Sequence, residues 1–286
     1  MSKKLDLHMH TVYSDGTCTP AELVTAACEQ GVQAMAITDH DNVESLRHAQ
    51  EAARETTLEL IPGIEINTVW QEREVHVLGY YIDPAHDLLT EVMDQHRQWR
   101  VVQMQDMAVK MRKHNRLDIT FEDIASRGSA EGVLGRPHVA KTLVDKGVVS
   151  TISDAFNRYL RPSCPTYVRR QTVPPHDAVE AIYESGGIPV IAHPGDMEGI
   201  EGLATELIDY GLRGLEAYHR SHSPALIEFH CSLAEKLDLI VTGGTDFHGA
   251  PEAYPRALER LHMPIHIYDV LQDERRGRQL SLFKAS

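Results

Sequence analysis

The chain has 286 residues, 42% hydrophobic and 24% charged, with a formal net charge of -14. That composition suits an ordinary globular protein forming one barrel-sized domain, or one domain with an insertion. The acidic balance excludes a protein that grips long nucleic acid through a broad basic surface, since such binding needs many Lys and Arg to displace counterions; an anionic substrate must be held locally.

The four cysteines, Cys18, Cys28, Cys164 and Cys231, show no Cys-x-x-Cys spacing and read as reduced thiols of a cytoplasmic protein. Met1-Ser-Lys-Lys leads straight into a strand, with no apolar leader, and no later run is long enough to span a bilayer, so no membrane association is expected.

The first strand and turn run from Asp6 to Gly16. Alternation along an extended segment puts His8 and His10 on one face and Leu7 and Met9 on the other, and Asp15 can fold back from the turn at Gly16 to add a carboxylate. Thr19-Pro20-Ala21-Glu22 is a capping box that starts a helix ending at Gly31. Ala34–Thr38 is a strand that leads into Asp39-His40-Asp41, followed by a helix from Val43 to Arg54. Strands over Leu58–Ile64, ending at Glu65, and Arg73–Val77, carrying His76, come next.

After an interruption the pattern resumes with a helix over 175–185 and a strand at 188–192 ending in His193-Pro194-Gly195. A helix over 203–210 precedes the strand 214–217, which ends in Tyr218-His219. A helix from Ser223 to Leu237 and a strand at 239–242 lead into Gly243-Gly244-Thr245-Asp246-Phe247-His248. This alternation predicts parallel strands with crossover helices. The His and acidic residues fall at strand C-terminal ends, where a closed α/β barrel gathers its active site. The expectation is a distorted seven-stranded (β/α)7 barrel built from residues 1–84 and 171–286. Residues 85–170, with a long helix over 88–114, form a helical insertion covering the barrel mouth.

His8, His10, Asp15, His40, Glu65, His76, His193, Asp246 and His248 are nine nitrogen and oxygen donors without a thiolate. Such a set suits two or three divalent ions, Mn first and Fe or Zn as alternatives. The apolar stripe with Met93, Trp99, Met104 and Met107 reads as core. The remaining histidines, among them His96, His222 and His230, are given no role.

The motifs His8-Met-His10 with Asp15, Thr38-Asp-His40, Gly63-Ile-Glu65, His76, Ala192-His-Pro-Gly195 and Gly244-Thr-Asp-Phe-His248 resemble the PHP (polymerase and histidinol phosphatase) family of the amidohydrolase superfamily. The resemblance implies one ion with His8, His10, Glu65 and Asp246, a second with Glu65, His76 and His193, and a third with Asp15, His40 and His248, Glu65 bridging. Gly135-Arg-Pro-His-Val-Ala140, Ala155-Phe-Asn-Arg-Tyr159 and Leu215-Glu-Ala-Tyr-His219 are similar to the subgroup that hydrolyses nucleoside 3′,5′-bisphosphates, whose members are also linked to trimming short RNA from the 5′ end.

For such a reaction, hydroxide bridging the ions would attack phosphorus in line. A third ion, Asp246 or a nearby His would assist the leaving alkoxide, with Glu65, His193 and His248 also at the reacting centre. A second anion site is expected at Arg136 and His138 beside the helix start at Pro137, with Arg158, Tyr218 and His219 as further contacts. The partner expected is a small nucleotide or short oligonucleotide. The alternatives are a 5′-to-3′ exonuclease on short RNA, a histidinol-phosphate-type phosphatase, or a non-catalytic metal-binding assembly module. Oligomeric state is not readable from the sequence.

Overall fold

The computed structural model describes residues 4–129 and 131–285. Seven strands follow one another around a single sheet: β1 Lys4–Asp6, β2 Val32–Ile37, β3 Glu59–Trp70, β4 Arg73–Tyr80, β5 Ile188–Ile191, β6 Gly214–His219 and β7 Ile240–Gly244. The barrel closes loosely between its ends, where Leu7 N–H donates to Gly243 O at 3.3 Å and Met9 bridges Phe247. The expected distorted seven-stranded barrel is the fold found.

One feature departs from the all-parallel expectation. β4 runs antiparallel to both β3 and β5, while the other pairs are parallel. The reason is local: β3 continues past Glu65 to Trp70 and turns through Gln71 and Glu72, both at positive φ (45° and 69°). Two such residues form a tight hairpin whose twist matches the strands it joins, and a two-residue link cannot make a parallel crossover.

Strand alternation sorts the side chains into layers. Leu5, Leu7, Ala34, Ala36, Ile61, Leu78, Tyr80, Ile188 and Val190 form an inner cluster, which Ile267 and Leu271 of the helix His266–Ala285 join. Met9, Met35, Ile37, Ile64, Val77, Ile191 and Leu215 belong instead to the outer core beneath the helices. Leu7 and Met9 therefore do not share a face as expected. Regular pairing of β1 ends at Asp6, and the chain from Leu7 to His10 is no longer held to strict alternation.

The first helix, Pro20–Glu29, is fixed by the predicted capping box. Glu22 N–H donates to Thr19 Oγ1 at 3.3 Å, and Thr19 N–H donates to Glu22 Oε2 at 2.8 Å. The long helix Asp87–Asn115 serves two cores. Leu89 and Met93 pack into the outer barrel core, whereas Met104, Met107 and Met111 pack with Ile124, Leu143 and Leu160 of the helical segment. All four cysteines are free thiols. No helix among the described residues is long and apolar enough to cross a membrane.

Candidate metal centre

The site is built from the mouth inward around one carboxylate. Glu65 faces into the barrel because it lies two and four residues beyond Gly63 and Ile61 on β3, and it is fully buried. Its Oε1 is 2.9 Å from His76 Nδ1 and 3.0 Å from His193 Nε2. Its Oε2 is 3.2 Å from His8 Nε2, 3.1 Å from His10 Nε2 and 3.0 Å from His40 Nδ1. Five imidazoles from four strands and their loops thus converge on two oxygen atoms.

Asp246 Oδ1 closes one side, 3.3 Å from His10 Nε2 and 3.4 Å from His248 Nδ1. Asp15 closes another, with Oδ1 3.1 Å from His248 Nε2 and Oδ2 3.9 Å from His40 Nε2. All nine donors named from the sequence are brought together. The sets close enough to share an ion, with atoms within 4.8 Å of one another, are His10, Asp15, His40 and His248; His8, His10 and Asp246; His8, Glu65 and His193; and His40, Glu65 and His76. His10 thereby stands between two sets.

The donor set fits divalent cations. Glu65 Oε2 and Asp15 Oδ1 are buried and lack a properly formed hydrogen bond although imidazole nitrogens crowd around them. His8 Nε2 and His10 Nε2 are 3.1 Å apart, a spacing at which two lone pairs need a cation or a proton between them. Burial by itself would depress the His10 imidazole, but Asp246 and Glu65 outweigh it and lift it to about 10. At His40 burial wins and pushes the ring down to about 3. Burial would raise the Glu65 and Asp15 carboxyls, yet the surrounding imidazoles hold both well below the usual carboxylate range. Ionised carboxylates beside imidazoles of opposite protonation preference form a ligand shell.

A family model for the PHP domain matches residues 6–146. A 5′-3′ exoribonuclease of Haemophilus influenzae is 34% identical over 255 residues, 87% of this chain and 91% of that protein. The chain belongs to the PHP family. A 3′,5′-nucleoside bisphosphate phosphatase of Chromobacterium violaceum is 32% identical over 252 residues, covering 87% of this chain and 88% of the relative. A crystal structure from Bifidobacterium adolescentis, described as a metal-dependent phosphoesterase, superposes with a TM-score of 0.81 at 32% identity, covering 93% of this chain and 99% of that one.

Around the PHP donors, a ring of carboxylates holds the loops in place. Asp6 accepts from Thr245 N–H at 2.9 Å and from its hydroxyl at 2.7 Å, fixing the turn before Asp246. Asp39 accepts from Thr11 N–H at 2.7 Å and from Ser14 Oγ at 2.6 Å, fixing the turn before Asp15. Glu216 accepts from His8 Nδ1 at 3.0 Å and from His193 N–H at 2.8 Å. These bonds sustain backbone that a free chain avoids: His193 and Asp246 lie at φ of 23° and 49°. Glu216 was missed in the sequence. Its signal was a carboxylate two residues beyond Gly214 on β6, three residues before the strand's end at His219, within a motif already singled out.

The proposed anion group is only partly gathered. His138 Nδ1 accepts from Gly135 N–H at 3.1 Å, so it caps its own helix, Arg136–Asp145. Its ring lines a cavity of ≈ 520 Å³ with Asp15, Ser129 and Lys141. Arg136 turns the other way and donates to Glu74 Oε1 at 3.1 Å on β4. Arg158 stacks on Tyr159, 5.3 Å from the ring centre. Tyr218 packs, with Met263, against the inner cluster. His219 does reach the cluster, with Nε2 3.4 Å from Asp246 Oδ2 and its ring 5.1 Å from His193.

Three histidines given no role prove to be structural. His96 Nδ1 lies 2.9 Å from Asp41 Oδ1. His222 Nε2 accepts from Gly195 N–H at 3.1 Å, and His230 Nε2 donates to Gly195 O at 2.8 Å, so the two rings grip the peptide that follows His193-Pro194.

Proposed function

We propose that this metal-dependent phosphoesterase removes the 3′-phosphate of nucleoside 3′,5′-bisphosphates, for example converting adenosine 3′,5′-bisphosphate to AMP and phosphate. The observation that carries the reading is the gathering of nine nitrogen and oxygen donor residues, Glu65 at their centre, beside a cavity of ≈ 630 Å³ lined by Glu74, His76 and His193. The Chromobacterium violaceum relative, which bears that activity in its name, supports it.

His8, His10, Asp15, His40, Glu65, His76, His193, Asp246 and His248 would hold two or three divalent ions, Mn foremost. Held there, such ions would supply the lowering of the pKa of a bound water and the neutralisation of phosphoryl charge. Glu65 offers one oxygen to His76 and His193 and the other to His8, His10 and His40, which suits a bridging ligand. Asp246 is held well below the usual carboxylate range, since its imidazole partners outweigh its burial, so it has no proton to give. His219 is the better donor to the departing sugar oxygen. Its Nδ1 is held by Ser221 Oγ at 2.7 Å, and its Nε2 is buried without a properly formed hydrogen bond. A cytoplasmic location accords with the free thiols.

A 5′-3′ exoribonuclease acting on short RNA is the second reading. The Haemophilus influenzae relative supports it, as does the second cavity beyond Asp15, which gives a strand room on both sides of the donors. The deciding experiment is product release by the Mn-loaded protein from adenosine 3′,5′-bisphosphate, AMP and a 5′-phosphorylated ribotrinucleotide. Rapid turnover of the bisphosphate with AMP persisting supports the first reading. Faster cleavage of the trinucleotide favours the second, and activity confined to an aryl phosphate overturns both.

A further inference from the structure

A metal-binding imidazole is usually oriented through its second ring nitrogen, and His8 follows that rule, since its Nδ1 meets Glu216 Oε1 at 3.0 Å. His193 does not. Its Nε2 faces Glu65 Oε1 at 3.0 Å and its backbone N–H donates to Glu216 Oε2 at 2.8 Å, but among the described residues its Nδ1 has no hydrogen-bond partner. The direction of the ring is therefore set by the backbone from which it projects. That backbone is a turn with φ of 23° at His193 and 60° at Gly195. Glycine accepts such a value freely, whereas a histidine holds it only with support from outside the turn.

The support comes from two buried imidazoles, His222 in the loop after β6 and His230 on the helix Pro224–Lys236. His222 Nδ1 lies 2.7 Å from Ala217 O; a carbonyl only accepts, so Nδ1 carries the proton and Nε2 keeps a lone pair. That lone pair receives Gly195 N–H at 3.1 Å. His230, its ring centre 5.0 Å away, donates from Nε2 to Gly195 O at 2.8 Å. The two bonds hold the peptide units on either side of the Gly195 Cα. Glu216 and Ala217 are neighbours on β6, so the turn is pinned to one strand at both ends, His193 through Glu216 and Gly195 through His222. Neither His222 nor His230 belongs to any of the donor sets.

We propose that His222 and His230 are positioning residues of the metal centre: by clamping Gly195 they hold the His193 imidazole on Glu65, and so set the affinity for the ion that His8, Glu65 and His193 share. Released from the clamp, the turn relaxes toward ordinary φ values and the His193 ring swings away with it. The ion then keeps its other donors and loses this one. The clamp acts on the metal centre whether the substrate is a bisphosphate or a short RNA, and its readout involves no substrate.

The test is calorimetric titration of the metal-free protein with Mn, in the wild type and in His222→Asn, His222→Gln and Leu143→Ala. Asn presents an amide nitrogen where Nδ1 lies and keeps the bond to Ala217 O, but it stops short of Gly195. Gln reaches the Nε2 position, where its oxygen accepts the Gly195 N–H. Leu143 is buried in the separate core of the helical segment, so its truncation lowers stability without touching the turn. His222→Asn is expected to weaken one Mn site about tenfold to a hundredfold and to leave the other equivalents unchanged. His222→Gln recovers part of the loss, and Leu143→Ala melts lower yet binds Mn as the wild type does. Wild-type Mn binding in His222→Asn overturns the clamp, as does a matching loss in Leu143→Ala, which would make the effect one of general stability. If His222→Asn does not fold, His230→Asn, which cuts only the bond to Gly195 O, carries the same expectation and the same refutation.

Discussion

Arg100, in the middle of the long helix, donates from Nε and Nη2 to Asp41 Oδ2 at 2.9 and 2.5 Å, joining the helical segment to the residue that follows His40. Both partners are buried. Asn67 Nδ2 lies 3.0 Å from the same oxygen and 3.1 Å from His40 Nδ1, so the contact reaches a proposed metal ligand in two steps. Replacing Arg100 by Ala leaves Asp41 buried and short of its strongest partner, and is expected to cost about 3–5 kcal/mol. Urea denaturation of the metal-loaded protein measures it. A loss below 1 kcal/mol, the range typical of exposed pairs, would show that solvent reaches the pair.

Glu216→Gln separates orientation from ligation. Glu216 accepts two hydrogen bonds, from His8 Nδ1 and from His193 N–H, whereas a Gln amide supplies only one acceptor oxygen beside a donor. The expected result is a loss of metal affinity of about 10- to 100-fold, as for other groups that orient metal-binding histidines, with activity returning as metal is raised. Calorimetric titration with Mn reads the affinity directly. Wild-type affinity in the variant would show that Glu216 does not orient the metal-binding histidines.

Gly244 lies where β7 meets the start of the chain. A Cβ built there would stand 2.3 Å from His8 Cβ and 2.4 Å from His8 N. Gly244→Ala must therefore displace His8 or the strand end, at about 1–3 kcal/mol for overpacking. The variant is expected to melt lower and to lose phosphoesterase activity at fixed Mn. An active variant with an unchanged melting temperature would mean that the barrel seam has room for a methyl group beside His8.

His222 and His230 give a pH dependence of stability. Burial depresses both imidazoles from the ordinary 6.5, outweighing their hydrogen bonds to Ala217 O and Gly195 O. In the unfolded chain they take up protons as pH falls through 6.5, while the folded protein resists until lower pH. Their stabilising contribution is thus complete above 6.5 and is lost as pH falls from there through the folded values. The destabilisation caused by His230→Gln should shrink between pH 8 and pH 5, because the variant has one fewer proton to exclude. Denaturant titrations at several pH values check this, and a constant difference would contradict it.

Much of this architecture was readable because the relevant signals are local. The capping box at Thr19 and Glu22 needs four consecutive residues, and the metal-type donors stand out by falling at the ends of successive apolar runs. Arg136 misled because its partner, Glu74, is 62 residues away. Nothing near Gly135-Arg-Pro-His says which carboxylate a flexible guanidinium will meet. Glu216, His222 and His230 look like any polar residue of a strand, loop or helix until the barrel carries Gly195 and His8 to them.

The sequence by itself determined the seven apolar strands, the helix between Asp87 and Asn115 and the chemical type of the donors, since these follow from periodicity, capping and residue identity. Tertiary structure decided the antiparallel course of β4, the place of His10 between two donor sets, the engagement of Asp41 by Arg100 and the pairing of Arg136 with Glu74. Those outcomes depend on which distant surfaces meet and which charges are thereby shut away from water, and that is a property of the closed barrel, not of any one segment.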